Sequence, residues 1–418
     1  MKIIIFGPTA GAPYIAKLLA RYDNVERVYV YDPHPVIPQH GKYFPIFPTN
    51  SGDANGFAEI LETINTIDVD LVLTVSLQFQ LWEDFRKAIE ARGIPHLIPT
   101  AAVGMLEWSK IVSKKLLHSL NIPTPLYKVY TREEIQQQYF DIPRPFVLKY
   151  DKDWRAGLQT VIVTDENYQT EWENLIKYGF KRFLNLMGDF TDQKFVVEEF
   201  IKGSREYSYH VLCNGKGWTY LGSARDYKKC FNNDVGNNTT GMGSYSPVPD
   251  VDPIIKTYVD KILNFLKFRN MEYFGFLYLG IMVDDKGIPQ VLEINTRPGD
   301  PEIVTILSVI KNNLADLFYN AATNKKLPEV EFTNDHAVSI RVVHKEFDLD
   351  TKNNPNLPDL WPVYDNIDIS YNRDIGIMHS LVTAIDNTRE AASNRLYKFL
   401  DKKHMGDFRF RTDIGYLK

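Results

Sequence analysis

Cysteine is nearly absent: 418 residues carry two, Cys213 and Cys230, in no metal-like spacing. That excludes a disulfide framework and a thiolate metal centre, and it fits a reducing, cytoplasmic setting. The nine histidines are scattered, so a histidine cluster is not expected either. Basic charge is not in excess. Forty-eight Lys and Arg against 53 Asp and Glu leave a net charge of −5, which argues against nucleic acid or an anionic membrane as the partner. No hydrophobic run reaches the length of a membrane span. The apolar Lys2–Phe6 run stops at Gly7-Pro8, too short for a signal peptide. Repeats and low-complexity segments are lacking as well. What is present is ordinary for a globular protein, 44% apolar and 24% charged residues, and the length predicts two or three domains.

The first hundred residues alternate. Lys2–Phe6 is followed by a Gly7 to Gly11 turn and a helical pattern through Ile15, Leu18 and Leu19. Arg27–Tyr31 reads as a second strand ending in Asp32. Helix Phe57–Thr66, strand Asp70–Val75, helix Leu81–Arg92 and strand His96–Ile98 continue the series. Such units predict a small doubly wound parallel sheet. The first turn reads G-x-x-x-G, not G-x-G-x-x-G, so no dinucleotide site is expected.

Further on, a helix over Trp108–Leu120 ends at the proline-bearing Asn121–Pro125 break. Arg144–Lys149 and Thr160–Val163 read as a hairpin, with a helix over Glu166–Tyr178 and a strand over Lys194–Ile201 behind it. Strands Tyr207–Cys213 and Thr219–Gly222 lead into a polar loop, Ala224 to Pro247, of a length that usually carries function. Its Gly236, Gly241 and Gly243 let backbone N–H groups close on an anion. Helices Asp252–Phe268 and Val304–Thr323 flank a strand, Gly275–Val283, and a helix over Thr388–Leu400 precedes the C-terminus.

Chemistry concentrates in Gln290 to Glu302, whose Val291–Ile294 core reads as a buried strand. Glu293 and Asn295 are spaced i, i+2, so a strand points both to one face. One carboxylate and one amide oxygen suit a hard cation such as Mg²⁺ or Mn²⁺ that takes its other oxygens from phosphates and water. Arg297 offers those phosphates a planar fork of donors. A surface strand ending in a charged turn is the competing reading. Lys149 reads either as a solvated edge lysine or as part of a flap over a nucleotide. The Val196–Ile201 backbone suits an adenine edge, and Glu206 a ribose hydroxyl.

In this order the pieces resemble the ATP-grasp ligases, and more narrowly the glycinamide ribonucleotide synthetase (phosphoribosylamine–glycine ligase) family. Leu106-Glu-Trp-Ser-Lys110 is similar to its L-E-G-S-K, and Val197-Glu-Glu-Phe200 to its E-E-F strand. Asp234 to Pro247 is similar to D-x-G-P-N-T-G-G-M-G-A-Y-S-P, Tyr278 to Glu302 to the block ending E-x-N-x-R-x-G-D-P-E, and Arg411 to Gly415 to R-x-D-I-G. The resemblance implies an α/β and α+β architecture. It comprises a doubly wound domain over 1–105, a two-lobed ATP-grasp domain over 106–327 with a lid at about 124–196, and a small C-terminal domain over 328–418. It implies ATP contacts at Lys110, Lys149, Glu198, Glu199, Phe200, Ile201 and Glu206, and metal ligation by Glu293 and Asn295. Arg297, Lys228 and Asp226 become candidate catalytic groups. Asn238, Thr239, Gly241, Met242, Gly243, Asp300 and Glu302 become candidate substrate contacts. The chemistry implied is amide formation through an acyl phosphate, using an amino acid such as glycine and an amine acceptor, by a monomer or homodimer.

The departures cluster away from the nucleotide. The family's G-G-R-E-H-A-L becomes Gly7 to Pro13 without arginine, glutamate or histidine, and its G-P-E becomes Val75-Ser76-Leu77. The flap lysine of K-A-D-G-L-A-A-G-K-G is missing, leaving Lys152 or Arg155 as substitutes. In the anion loop Asn237 and Thr240 replace proline and glycine, and the glycine-rich C-terminal stretch is not recognisable between Val343 and Ile369. The nucleotide half is kept and the acceptor half looks rebuilt. A nucleotide-binding subunit without catalysis is the reading from another class.

Overall fold

Continuous runs of Ile, Val and Leu build the first sheet. It holds β1 (Lys2–Phe6), β2 (Arg27–Tyr31), β3 (Tyr43–Ile46), β4 (Leu71–Thr74) and β5 (His96–Leu97), all parallel, in the order β3-β2-β1-β4-β5. Helices Gly11–Leu19, Ala54–Ile67 and Phe79–Ala91 connect its strands. Strand order reverses at β1, which places Gly7 and Val75 at the switch point where such sheets bind ligands. The computed structural model describes residues 1–7, 11–31, 41–46, 54–75, 79–137, 141–152, 160–169, 194–345, 367–374, 377–402, 405–406 and 408–416. Asp32, Arg155 and most of the helix expected over Glu166–Tyr178 lie outside these residues.

A second, antiparallel sheet holds β6 (Tyr127–Thr131), β7 (Phe146–Tyr150), β8 (Thr160–Val163) and β9 (Lys194–Glu199) in the order β6-β9-β7-β8. It has its own small core of Tyr130, Ile135, Phe146, Leu148, Phe195 and Val197.

The third sheet is the largest. It runs β16 (Pro289–Asn295), β15 (Gly275–Asp284), β10 (Gly203–Asn214), β11 (Gly217–Asp226), β14 (Gly243–Ser246), β17 (His336–His344), β19 (Ile377–Asp386) and β18 (Ile367–Asp374), with β20 (Phe408–Arg409) pairing β17. One face, including Tyr207, Val211, Leu277 and Ile281, packs in a common core with Ile255, Val259, Ile262 and Leu266 of helix Ile254–Phe268. Strands beyond residue 336 therefore continue the sheet that carries Glu293. Among the described residues no helix is long and apolar enough to cross a membrane.

Three sequence expectations are corrected. The helix expected over Trp108–Leu120 is two helices, Ala101–Trp108 and Lys110–Ser119, broken at Ser109 with φ −105° and ψ 111°. A tertiary contact accompanies the break: Asp151 Oδ1 accepts from Ser109 Oγ at 2.8 Å and from Ile111 N at 3.1 Å. The helix expected over Val304–Thr323 is also two, Glu302–Ser308 and Leu314–Ala322. Asn313 caps the second, accepting from Ala315 N and Asp316 N. Finally, the Ala224–Pro247 stretch is not structureless. It carries the end of β11, a hairpin of β12 (Lys229–Phe231) with β13 (Val235–Asn238), and β14.

Candidate active site

Register alone gathers the site. Ser208 of β10 faces Gly280 of β15, which faces Glu293 of β16; His210 faces Tyr278, which faces Asn295. Glu206 and, across β11, Ala224 and Asp226 lie on the same face by the two-residue period. The predicted convergence of Glu293 and Asn295 is therefore present, at the end of a strand whose Val291 and Ile294 are fully buried. Gly280 leaves the space above Glu293 open, since a Cβ there would come within 3.0 Å of Glu293 Cγ.

An arc of cations surrounds this row. Lys110 Nζ lies 3.3 Å from Glu293 Oε2, and Arg297 Nε donates to Glu107 Oε1 at 2.8 Å. Lys149 Nζ lies 3.0 Å from Glu198 Oε2, and Lys114 Nζ lies 3.2 Å from Glu198 Oε1. Lys228 Nζ donates to Glu206 Oε1 at 3.1 Å and lies 3.7 Å from Asp226 Oδ2. Burial opposes ionisation of Glu293, but Lys110, Lys228 and Lys149 outweigh it and hold the carboxyl well below its usual range. Burial likewise opposes the charge of Arg297, and Glu107 foremost restores it. Asp226, by contrast, is pushed up to about 6 by burial despite Lys228, and Glu302 to about 8 by burial and the neighbouring Asp226. Behind Asn295, the His210 ring stacks on Tyr278 at 4.7 Å; burial, then the Arg297 charge, lowers it to about 3, so it is neutral.

The residues fit a hard cation. Asn295 is buried, its Nδ2 has no hydrogen-bond partner within 3.5 Å, and its amide lies near enough to help hold Glu293 ionised; turning the amide over presents an oxygen in the same place. One ionised carboxylate, one amide and an open space above them match Mg²⁺ chemistry.

A roof is built from the glycine-bearing loop. Thr239 Oγ1 accepts from Gly241 N at 3.0 Å and donates to Lys228 O at 2.9 Å. Gly241 sits at φ +119°, where a Cβ would meet Pro301 Cδ at 2.5 Å, so the loop lies directly on the Asp300-Pro301 turn. Met242 is buried, and its carbonyl accepts from Arg341 N at 2.8 Å; Gly243 begins β14. Arg341, fully buried, donates from Nη2 to Asp300 Oδ1 at 3.1 Å and from Nη1 to Thr240 Oγ1 at 3.3 Å. Asn238 Nδ2 donates to Thr160 O of β8 at 3.3 Å, joining the loop to the second sheet. Glu302 is buried against Gly299.

Several residues expected to contact ATP also hold protein partners. Glu198 is buried between Lys114 and Lys149, and Glu199 Oε1 accepts from Leu126 N at 2.9 Å. Glu206 pairs with Lys228, while Phe200 and Ile201 follow β9 half-buried. Lys152 is exposed. Sequence reasoning missed Glu107, Lys114, Asp151 and Arg341. For Lys114 a signal existed, one helical turn from Lys110 on the same face. The other three act through partners far away in the chain, which no local pattern announces.

A family model described as "Phosphoribosylglycinamide synthetase, ATP-grasp (A) domain" matches residues 108–303. The phosphoribosylamine–glycine ligase of Vibrio parahaemolyticus is 31% identical over 367 residues, covering 82% of this chain and 78% of that protein. The chain belongs to the phosphoribosylamine–glycine ligase family. The Streptococcus pneumoniae member is 28% identical with 99% of each chain aligned. The crystal structure of the Thermotoga maritima member has a TM-score of 0.77 at 23% identity, covering 99% of this chain and 100% of that one. The biotin carboxylase domain of a Hydrogenobacter thermophilus carboxylase, solved with MgADP, shares the fold at a TM-score of 0.70 and 14% identity, with 98% and 91% covered. The architecture is thus the mixed α/β ATP-grasp fold of ADP-forming carbon–nitrogen ligases, as the family resemblance implied.

Proposed function

We propose that this chain joins glycine to phosphoribosylamine at the expense of ATP, releasing ADP and phosphate, as a step of purine biosynthesis. The observation that carries the reading is the single sheet face on which Glu293 and Asn295 lie beneath Lys110, Lys149, Lys228 and Arg297. That arrangement has cations and fixed donors but needs no protein nucleophile, and it suits phosphoryl transfer, where charge spreads over the γ-phosphate oxygens. Held by Glu293 and Asn295, Mg²⁺ or Mn²⁺ would neutralise part of that charge. Lys110 and Lys149, already drawn toward Glu293 and Glu198, supply the remaining positive field, and Arg297 offers its guanidinium to the transferring group. A carboxylate oxygen attacks the γ-phosphorus as its bond to ADP breaks. The amine nitrogen then attacks the acyl carbon, the bond to phosphate breaks, and the nitrogen gives up a proton. The Asn238–Gly243 roof and the Asp300-to-Glu302 turn supply the walls for the acid and amine. The two free, buried cysteines support a reducing, cytoplasmic setting.

ADP release from ATP, Mg²⁺ and glycine, with and without enzymatically generated phosphoribosylamine, tests this. Release that requires both substrates is expected. Release that ignores phosphoribosylamine but responds to another amine would overturn the acceptor and keep the chemistry, an outcome favoured by the absence of arginine, glutamate and histidine from Gly7–Pro13. ATP binding without turnover on any acid and amine would overturn the ligase reading itself.

A further inference from the structure

The helix break at Ser109 sits where several parts of the site meet. Lys110 reaches Glu293, Ser109 reaches Asp151 behind β7, and Lys114 reaches Glu198 of β9. Glu107, in the last turn of the preceding helix, engages both residues that follow β16. Its Oε1 accepts from Arg297 Nε at 2.8 Å, and its Oε2 accepts from Thr296 N at 2.9 Å. Arg297 Nη1 is taken by Pro298 O at 3.0 Å. Among the described residues Nη2 has no hydrogen-bond partner, so one terminal nitrogen of the fork is left for a ligand.

We infer that Glu107 is a positioning residue that fixes the direction of the Arg297 guanidinium. Thr296 N anchors one oxygen of the Glu107 carboxylate so that the other meets Nε from a fixed position, and this contact together with Pro298 O on Nη1 sets the plane of the fork. The alternative partners are close at hand. Glu293 attracts Arg297 electrostatically, as does Glu302 once it ionises, and a guanidinium released from Glu107 is free to turn toward them. Pairing with Glu293 would spend the carboxylate that the cation site needs. Glu107 thus keeps Arg297 aimed outward and away from Glu293, which Lys110 already meets at 3.3 Å, without touching substrate itself.

The kinetic arm of the test rests on the ligase reading; the spectroscopic arm does not. In Glu107→Gln, kcat should fall about 100-fold, as for a small misplacement of a reacting group, while KM for ATP moves less than about threefold. In an Arg297→Ala background the same change should cost less than about threefold more, because the residue it aims is gone. With ¹⁵N-labelled arginine, the Arg297 Nε–H signal should lose its exchange protection in Glu107→Gln. Glu107→Asp keeps the charge with a shorter reach and should fall between the two, which keeps the test alive if Glu107→Gln does not fold. Equal losses in both backgrounds, or an unchanged Nε–H signal, would overturn the positioning role. If the wild-type protein released no ADP with glycine and phosphoribosylamine, the functional reading would fall and the Nε–H signal would still decide Glu107.

Discussion

Glu293 is surrounded by more positive charge than it can neutralise, and that imbalance makes it informative. Glu293→Gln leaves Lys110, Lys149 and Lys228 facing a neutral amide. Turnover is expected to drop on the order of 10²- to 10³-fold, with Mn²⁺ affinity, read by titration calorimetry, falling alongside it; near-normal values for both would remove the residue from the cation site. Lys114 gives a pH signature. Burial, countered by Glu198, lowers its pKa to about 8 from an ordinary 10.5. Below pH 8 both folded and unfolded chains hold the proton. Between 8 and 10.5 only the unfolded chain does, so stability contributed at this position rises with pH across that window. Urea unfolding of the wild type against Lys114→Met at pH 7.5 and 9.5 should show the difference shifting toward the wild type, by at most about 1.4 kcal/mol per pH unit. A difference independent of pH would mean that Lys114 is not depressed.

At the level of elements, the joint between helices Ala101–Trp108 and Lys110–Ser119 is fastened by the Ser109 hydroxyl together with Ile111 N, which both donate to Asp151. Ser109 caps the second helix by accepting from Val112 N, and it donates to the buried Asp151. Ser109→Ala should cost about 1–2 kcal/mol in chemical denaturation and raise KM for ATP, since Asp151 adjoins the strand bearing Lys149; a melt and KM unchanged from wild type would show that the joint is held elsewhere. The joint also marks the limit of what could be read from the chain alone. Strand Pro289–Asn295 was legible because an i, i+2 pair of ligands follows from the pleat. The break at Ser109 was not, since serine is tolerated in helices and the apolar period continues past it; the carboxylate that fastens it is 42 residues away. Short strands such as Tyr43–Ile46, with a proline inside, and Lys229–Phe231 went unseen because pairing, rather than pattern, defines them. Of the parallel first sheet, β1, β2, β4 and β5 were legible from their apolar runs, and the edge strand β3 was not.

For the whole molecule, distant blocks of sequence interlock behind the glycine-bearing loop. Arg411, fully buried, donates from Nη2 to Asp234 Oδ1 at 2.9 Å and from Nη1 to Lys229 O at 2.8 Å, while Gly415 N donates to the Tyr227 hydroxyl at 3.2 Å. Arg411→Ala strands Asp234 and Asp413 together and is expected to cost about 1.5–3 kcal/mol, seen as a lowered Tm by calorimetry and a raised KM for the amino acid. A Tm within a degree or so of the wild type would show that the C-terminal block only rests on the loop. The sheet that joins β16 to β18 has one more consequence. Because β14 and β17 hydrogen-bond side by side, the C-terminal segment cannot be exchanged for that of another ligase as a detachable module. A chimaera spliced near residue 328 must re-create the pairing of Gly243–Ser246 with Ala337–Ile340, so recombination between such enzymes is confined to donors that share this register.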